Sequence, residues 1–328
     1  MGRVVMVSTG GTIASRRQEH GYAAEARGHE VLGALAPPGA DAVEVLDLFT
    51  LNSAHLTTAN QLTLLHTVHE VLADPDVDGV VVTHGTDTLE ESAFLLDLYH
   101  RDRRPAVFTG AQRPLDDPDG DAQGNLRDAV LAAATLRDQG VLVVFDGLVH
   151  AARGTVKTHT LARAAFADPS GRRIGVVKQG RVLLERRAER PVALPLPVPG
   201  TPSPRVDVVM HHCDGDPLLL EAAVTAGAQG IVLAATGAGN ATPAMVEAVS
   251  RAASAGVLVA LTTRVAAGPV TPLYTGGGAV DLIAAGAVPT GVLRTAQARI
   301  AVLAAVLAGE DPADRVQVLR QALHTTAP

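Results

Sequence analysis

The strongest constraint on the fold is a series of short apolar segments that recur along the chain with helical segments between them. Four such segments in the first half predict strands, at 3–9, 78–85, 104–111 and 140–147. They are apolar on both faces, which is typical of strands in a parallel sheet that is covered on both sides. The chain is therefore predicted to be an α/β protein, with a larger N-terminal domain built on a mostly parallel sheet that has helices on both faces.

Two helices are predicted between these strands. Segment 89–101 carries Phe94, Leu95 and Leu98 on one helical face. Segment 125–140 shows the same periodicity and closes with a glycine, which is a common C-terminal stop.

The chain length and one proline-rich segment predict two domains. At 328 residues the chain exceeds the size at which a single hydrophobic core usually stops growing. Segment 172–187 predicts a β-hairpin that turns at Gln179-Gly180, and segment 190–205 contains six prolines, which cannot serve a central strand and favour extended backbone. We predict a catalytic domain over 1–189, a proline-rich linker over 190–204 and a smaller C-terminal α/β domain over 205–328.

The alternation of strands and helices restarts after the linker. Strands are predicted at 205–212, 230–236 and 257–263, with helices at 218–228 and 242–256 between them. Two closing helices are expected to follow the last strand.

The charge and the cysteine content argue against several classes of protein. A formal net charge of −7 argues against a general nucleic-acid surface, because phosphate binding normally needs a concentrated excess of lysine and arginine. Cys213 is the only cysteine, so no intrachain disulfide can form. The first residues lack a secretory pattern, and the apolar segment from Arg299 is too short to span a bilayer. A cytoplasmic protein that binds neither membrane nor nucleic acid is expected.

Polar residues follow the predicted strands where a parallel sheet forms its sites. In open parallel sheets, ligands bind beyond the carboxyl ends of the strands. Segment 153–160 places Lys157 among threonines a few residues beyond the strand at 140–147. The strand ends that are rich in hydroxyl groups or charges are 9–12, 83–87, 110–114 and 236–240.

These residues form a set suited to acyl transfer. A threonine hydroxyl is a poor nucleophile and needs a nearby base or a proton relay. Thr12 would attack, while Thr86, Asp87 and Lys157 would manage protons. Backbone N–H groups of a glycine loop could stabilise an oxyanion, which is typically worth about 3 to 4 kcal/mol per donor.

Five motifs in this order resemble the bacterial-type L-asparaginases, a family with two catalytic threonines. The resemblance covers nearly the whole chain. It implies hydrolysis of L-asparagine to L-aspartate and ammonia, without metal or cofactor, in a homotetramer built from close dimers. The motifs are "TGGTIAS" (9–15), "VVTHGTDTLEESAFLLDL" (81–98), "GAQRP" (110–114), "GNLRDAV" (124–130) and "VKTHT" (156–160).

The resemblance also implies catalytic roles for particular residues. Thr12 matches the family's nucleophile, which forms a β-aspartyl ester. Tyr22 matches the tyrosine that orients this threonine as a flexible loop closes. Thr86, Asp87 and Lys157 match the second, hydrogen-bonded catalytic group.

Four residues are implied to bind the substrate. Ser53 matches the serine that holds the α-carboxylate, and Asp87 matches the group that pairs with the α-ammonium. Ala111 matches the position whose carbonyl accepts a hydrogen bond from the side-chain amide. Asn240 matches an asparagine that is contributed across the dimer interface.

The chain departs from the family pattern at two places. Ala54 stands where many members have a glutamine or a serine, and segment 271–281 lacks the glutamate that periplasmic members place near the α-amino group. Both departures leave activity on glutamine open.

Several alternatives stay open at this point. Residues 9–12 also suit a plain strand-to-helix turn, and Thr88 with Glu91 suits a helix capping box. His84 suits a packed strand end better than a base, and residues 211–214 are a weak candidate for a metal site. As a whole, the chain could be an amidase with another substrate, such as glutamine. It could also be an ammonia-supplying amidotransferase subunit, but the acidic charge and the expected absence of an extra N-terminal domain disfavour this second alternative. A non-catalytic amino-acid-binding sensor is the third possibility.

Overall fold

The structure is a computed structural model that describes residues 3–35 and 43–323. The chain divides into two compact units, 1–190 and 191–328. Between 185 and 205 the chain forms neither helix nor strand. The domain boundaries drawn from the sequence stay predictions.

The first unit is built on one large sheet. Its strand order is β12-β11-β8-β7-β6-β5-β1-β4 over the described residues, and the strands from β4 to β7 are parallel. The strands of this unit are β1 (Arg3–Gly10), β2 (Ser15–Gln18), β3 (Gly21–Ala24), β4 (Val43–Leu51), β5 (Val77–Thr83), β6 (Ala106–Thr109), β7 (Val141–Phe145), β8 (Leu148–Ala151), β9 (Val156–Lys157), β10 (Phe166–Ala167), β11 (Gly175–Lys178) and β12 (Arg181–Leu184). Its helices are α1 (Gly28–Leu35), α2 (Thr58–Leu72), α3 (Leu89–Tyr99) and α4 (Ala122–Thr135).

Helices cover both faces of this sheet. Residues of α1 and α4 pack in one core with Met6, Val81 and Val144, which share a sheet face. Val80 and Val82 point to the other face and are also fully buried, and α2 and α3 contact the strands there. Because both faces are apolar and covered, the prediction of a mostly parallel, doubly covered sheet is confirmed.

The second unit has a smaller parallel sheet. Its described strand order is β13-β14-β15-β16. The strands are β13 (Val206–Met210), β14 (Gly230–Ala235), β15 (Leu258–Thr263) and β16 (Val288–Pro289), and the helices are α5 (Leu218–Thr225), α6 (Pro243–Ser254), α7 (Ala279–Ala284), α8 (Thr295–Ala308) and α9 (Pro312–Leu323).

Some local predictions are confirmed and others are wrong. The hairpin β11–β12 turns at Gln179-Gly180 as predicted. Helix α4 ends at Thr135 rather than near Gly140, and three helices rather than two follow β15 in the described part of the chain. At Asp146-Gly147 the chain reverses into β8, which pairs antiparallel with β7. Asp-Gly is a strong hairpin signal. The segment that follows β7 therefore turns back and adds a strand to the same sheet.

Candidate active site

Two glycines shape the loop that follows β1. Gly10 (φ 97°) and Gly11 (φ 82°) both adopt positive φ, a region that other residues rarely occupy. A Cβ atom at Gly10 would lie within 3.0 Å of the Leu51 backbone, and one at Gly11 would lie equally close to Gly85. Glycine is therefore needed at both positions, because the loop is pressed between the end of β4 and the loop that follows β5.

Thr12 begins a short 3₁₀ turn directly after these glycines. The turn spans Thr12–Ala14, and the Ser15 hydroxyl donates to the Gly11 carbonyl at 2.9 Å. Within the part of the chain that the structure describes, no group is hydrogen-bonded to the Thr12 hydroxyl. The strand-to-helix turn and a hydroxyl without a described partner therefore coexist at this half-buried residue, and the hydroxyl is available for a ligand.

Lys157 joins two polar residues that follow β5. Its Nζ donates to Thr86 Oγ1 at 2.8 Å and to Asp87 Oδ1 at 2.8 Å. Thr86 is buried, whereas the Asp87 side chain is 57% exposed. The Thr86 hydroxyl in turn donates to Gln112 Oε1 at 3.3 Å. The Thr86 oxygen thus accepts from the lysine, and its proton is directed towards Gln112.

One cleft brings the two threonine loops together. Its volume is about 520 Å³, and its walls include Thr12, Tyr22, Ser53, Thr86 and Asp87. This volume lies in the range of small-molecule sites, roughly 300 to 1,000 Å³. Five of the predicted site residues therefore share one cavity.

Ser53 lies at the wall of this cleft in a 3₁₀ turn, Ser53–His55. It is 2% exposed, and a Cβ atom at Gly85 would approach its hydroxyl oxygen to 2.6 Å. The Thr88 hydroxyl donates to the Ser53 carbonyl at 2.9 Å and makes no side-chain cap to α3. The capping-box interpretation of Thr88 with Glu91 is thus wrong, because the hydroxyl is used to hold the turn that carries Ser53.

Tyr22 lies on the β2–β3 hairpin that follows the Thr12 turn. Its side chain is 57% exposed, and the Arg17 guanidinium carbon lies 6.0 Å from the centre of its ring. The Leu115 N–H donates to the Ser15 carbonyl at 2.8 Å, which fixes the base of the hairpin. The structure places Tyr22 at the cleft, and its role in orienting Thr12 stays a prediction.

The remaining predicted residues lie outside the cleft walls. Lys157 reaches the cleft through Thr86 and Asp87. Ala111 is fully buried and is followed by Gln112, whose N–H donates to the Asp121 carboxylate at 3.0 Å. Asn240 belongs to the second unit, where its carboxamide oxygen is buried without a hydrogen-bond partner among the described residues.

His84 is a packed residue at the end of β5, as predicted. It is fully buried, its Nδ1 lies 2.7 Å from the Gly85 carbonyl and its Nε2 lies 3.0 Å from Ser92 Oγ. A carbonyl only accepts, so the neutral ring must carry its proton on Nδ1. Burial lowers the pKa of His84 to about 4, and the ring is neutral at pH 7.

Glu90 and Gln112 are site residues whose contacts the sequence did not predict. The Lys157 backbone N–H donates to the Glu90 carboxylate. Burial raises the pKa of Glu90 to about 7, and the hydrogen bond from Lys157 opposes this rise. Glu90 lies in the first turn of α3, and no local pattern in the sequence signals its contact with Lys157, which is 67 positions away.

The described residues contain neither a cluster of metal ligands nor a membrane-spanning helix. No group of three or more His, Cys, Asp or Glu side chains is arranged to hold a metal ion within 3–35 and 43–323. His212 Nδ1 instead lies 2.8 Å from the Cys213 carbonyl. In the same residues, no helix is both long and apolar enough to cross a membrane.

Two family models match the two units of the chain. The model described as Asparaginase, N-terminal matches residues 3–190, and the model described as Glutaminase/Asparaginase C-terminal domain matches residues 205–319.

Individual proteins match over most of their length. An L-asparaginase of Bacillus licheniformis is 35% identical over 87% of this chain and 89% of its own length. A probable L-asparaginase of Deinococcus radiodurans is 35% identical over 97% of both chains. The crystal structure of a probable cytoplasmic L-asparaginase from Campylobacter jejuni has a TM-score of 0.86 and 27% identity, and the match covers 98% of this chain and 99% of that one.

Proposed function

Because this chain belongs to the asparaginase family of amidohydrolases, we propose that it hydrolyses L-asparagine to L-aspartate and ammonia with Thr12 as the nucleophile. One observation carries the proposal. The Thr12 loop packs on the Thr86 loop through Gly11 and Gly85, and both threonines line one cleft.

The reaction proceeds in two acyl-transfer steps. In the first, the Thr12 hydroxyl oxygen attacks the carbon of the side-chain amide, the C–N bond breaks, and the nitrogen takes up the proton that the hydroxyl has lost. Ammonia leaves, and a β-aspartyl ester remains on Thr12. In the second, water attacks the ester carbon, the bond to the Thr12 oxygen breaks, and a proton returns to that oxygen. The sum consumes one water and yields one L-aspartate and one ammonia.

The Thr86, Asp87 and Lys157 group manages the protons of both steps. A threonine hydroxyl at its ordinary pKa needs an adjacent group to take its proton. Thr86 Oγ1 and Lys157 Nζ lie 2.8 Å apart beside the cleft and offer such a relay, in which the lysine amine in its neutral form is the final acceptor of the proton and later returns it. Tyr22 lies on the hairpin that begins beside Thr12 and orients that hydroxyl.

Charge and burial support the assignment of the substrate-binding residues. The exposed carboxylate of Asp87 suits the α-ammonium of an amino acid, and the hydroxyl of Ser53 suits its α-carboxylate. The carbonyl of Ala111 accepts from the side-chain amide, and Asn240 is contributed by a second copy of the chain. No metal or cofactor takes part in these steps.

Ammonia release from three amides tests the proposal directly. L-Asparagine, L-glutamine and D-asparagine are given to the purified protein and to Thr12→Ala. We expect release from L-asparagine that falls by roughly 10⁴-fold in Thr12→Ala, with an unchanged unfolding midpoint. Equal release by both proteins would exclude Thr12 as the nucleophile. Ammonia release from L-glutamine alone would mean that glutamine, and not asparagine, is the substrate. Binding of L-asparagine without ammonia release would indicate a sensor.

The assembly and the location of the protein stay predictions. We propose a homotetramer built from two close dimers, which light scattering of the purified protein tests. We propose a cytoplasmic location, in agreement with the description of the Campylobacter jejuni relative as cytoplasmic. Cell fractionation tests this second prediction.

A further inference from the structure

Lys157 lies on a strand that does not belong to the main sheet. Strand β9 is two residues long and pairs with β10 in a separate sheet. The Thr158 N–H donates to the Ala165 carbonyl at 2.7 Å along this pair. The Lys157 N–H instead donates to the carboxylate of Glu90 on α3. So short a strand supplies little rigidity of its own.

Helix α3 holds the chain before Lys157 at two points. Arg153 and Asp97 form an ion pair, with 3.7 Å between Nε and Oδ2, and their side chains are 5% and 9% exposed. Glu90, which lies seven residues before Asp97 on the same helix, accepts from the backbone N–H of Lys157. Residues 153 and 154 lie in a turn and 156–157 are extended, so these two contacts tie a short irregular segment to α3.

One short segment of chain, 86–90, holds Lys157 at two points. Thr86 and Asp87 bind its ammonium, and Glu90 binds its backbone N–H. A lysine side chain has a flexible four-carbon stem with large rotamer entropy. Fixing the backbone relative to Thr86 leaves the ammonium fewer positions, and the alignment of Nζ with Thr86 depends on this second contact.

The surroundings of Glu90 agree with a positioning role. The residue is partly buried, and burial is the main cause that raises the pKa of its carboxyl. Its charged neighbours are Glu91 on the same helix, which adds to the rise, and Lys157, which opposes it. A buried carboxyl is unfavourable unless it is hydrogen-bonded, and its bond here is to the Lys157 backbone.

We propose that Glu90 is a positioning residue for hydrolysis: its carboxylate fixes the backbone of Lys157 so that the ammonium reaches Thr86 and Asp87. The inference rests on the proposed function of this cleft. Glu90 does not touch the substrate in this scheme and acts through Lys157.

Steady-state kinetics with L-asparagine test the proposal in three variants. Glu90→Ala removes the acceptor, Glu90→Gln keeps an acceptor oxygen of the same size, and Glu91→Ala removes the neighbouring acid of the same helical turn. We expect Glu90→Ala to lower kcat about tenfold with KM changed less than about twofold, as for a lost interaction made in the transition state. Glu90→Gln and Glu91→Ala should keep kcat within about threefold of wild type. The unfolding midpoint is measured for each variant. If Glu90 were merely structural, Glu90→Ala would lower the midpoint, and kcat would not be restored in Glu90→Gln.

Lysine-selective ¹⁵N labelling separates this inference from the proposed function. The chain has two lysines, Lys157 and Lys178, so Lys178→Met assigns the Lys157 signals. We expect amide exchange at Lys157 to rise at least about tenfold in Glu90→Ala and to stay low in Glu90→Gln. Full kcat in both Glu90 variants, in a protein that Lys157→Met inactivates, would overturn the positioning role alone. If the wild-type protein releases no ammonia, the proposed function fails. Unchanged amide exchange at Lys157 in Glu90→Ala would separately overturn the contact between Glu90 and the Lys157 backbone.

Discussion

Two glycine-containing loops follow buried strands, one in each unit, and the chain uses them in opposite ways. The loop after β1 is held from outside, because Gly11 packs on Gly85 of the neighbouring loop. The loop after β14 also has outside contacts, such as the Thr263 hydroxyl that donates to the Gly237 carbonyl at 2.6 Å, but it closes on itself as well. Its Thr236 N–H donates to the Asn240 carbonyl at 2.9 Å, and the Asn240 N–H donates to the Thr236 carbonyl at 2.7 Å.

The difference explains which hydroxyl is available for chemistry. Thr236 Oγ1 donates to the Asn240 carbonyl at 2.8 Å, so this hydroxyl completes its own turn. The first loop is positioned by packing, and Thr12 has no hydrogen bond through its hydroxyl within the described residues. The first loop does not use the Thr12 hydroxyl for its own support, so this hydroxyl can serve a ligand.

The largest expected difference between the loops is in catalysis. Thr12→Ala should lower kcat by roughly 10⁴-fold, because the nucleophile is lost. Thr236→Ala removes one hydrogen bond, should lower the free energy of unfolding by about 1 kcal/mol and should change kcat by less than about tenfold. Ammonia release and urea unfolding measure the two effects. Comparable losses of kcat in both variants would contradict the distinction.

The next largest effect tests whether catalysis by Thr12 needs the Thr86, Asp87 and Lys157 group. Lys157→Met removes the ammonium that contacts Thr86 and Asp87. We expect kcat to fall by about 10²- to 10³-fold with KM within about threefold, as for the loss of proton transfer. Lys178→Met is the matched control, because it removes the other lysine of the chain, which lies on β11. Unaltered kinetics in Lys157→Met would leave Lys157 a structural residue.

An added methyl group should distinguish the two loops by stability. Gly11→Ala places a Cβ within 3.0 Å of the Gly85 backbone and should lower the free energy of unfolding by about 3 kcal/mol or more. At Gly237 (φ 50°) the nearest atom to an added Cβ is Asn240 Nδ2 at 3.4 Å. Gly237→Ala then carries only the left-handed backbone term, about 1 kcal/mol. Urea unfolding of both variants measures this, and equal losses would show that the packing of Gly11 is not what holds the first loop.

Acid gives the smallest expected effect and acts beside the first loop. His84 directly precedes Gly85, and its pKa is lowered to about 4 from 6.5. As pH falls below 6.5, the unfolded chain binds a proton before the native one does. The stability contributed by neutral His84 is therefore complete above pH 6.5 and is lost as pH falls towards 4.

A single variant isolates this contribution from the other titrating groups. At pH 5.5 we expect His84 to account for about 1 kcal/mol of lost stability relative to pH 7.5. His84→Asn should show a smaller decline over the same range, whatever its stability at pH 7.5. Parallel declines of the two proteins in urea unfolding would mean that His84 is protonated equally in both states.

The pattern of short apolar segments predicted the parallel core, because strands that are buried in a parallel sheet are apolar on both faces. Strands β1, β5, β6 and β7 each overlap a segment predicted from this pattern alone. The pattern did not predict the return through β8, since an apolar run does not state whether its strand runs parallel or antiparallel to its neighbours. The short strands of the β2–β3 hairpin were also not predicted. They lie outside the main sheet. Apart from Ser15, the residues of β2 are exposed, as is the first half of β3.

The family and the chemical groups follow from local sequence, because the motifs around Thr12, Thr86 and Lys157 are contiguous and specific. Which atoms meet depends on the folded chain. The bond between Glu90 and Lys157 joins residues 67 positions apart, and the packing of Gly11 on Gly85 joins two different strand ends. Such contacts depend on how loops pack against one another and on the direction of each hydrogen bond. Local patterns of hydrophobicity carry no information about either, which is why a first-turn acid of α3 proves to hold the backbone of Lys157.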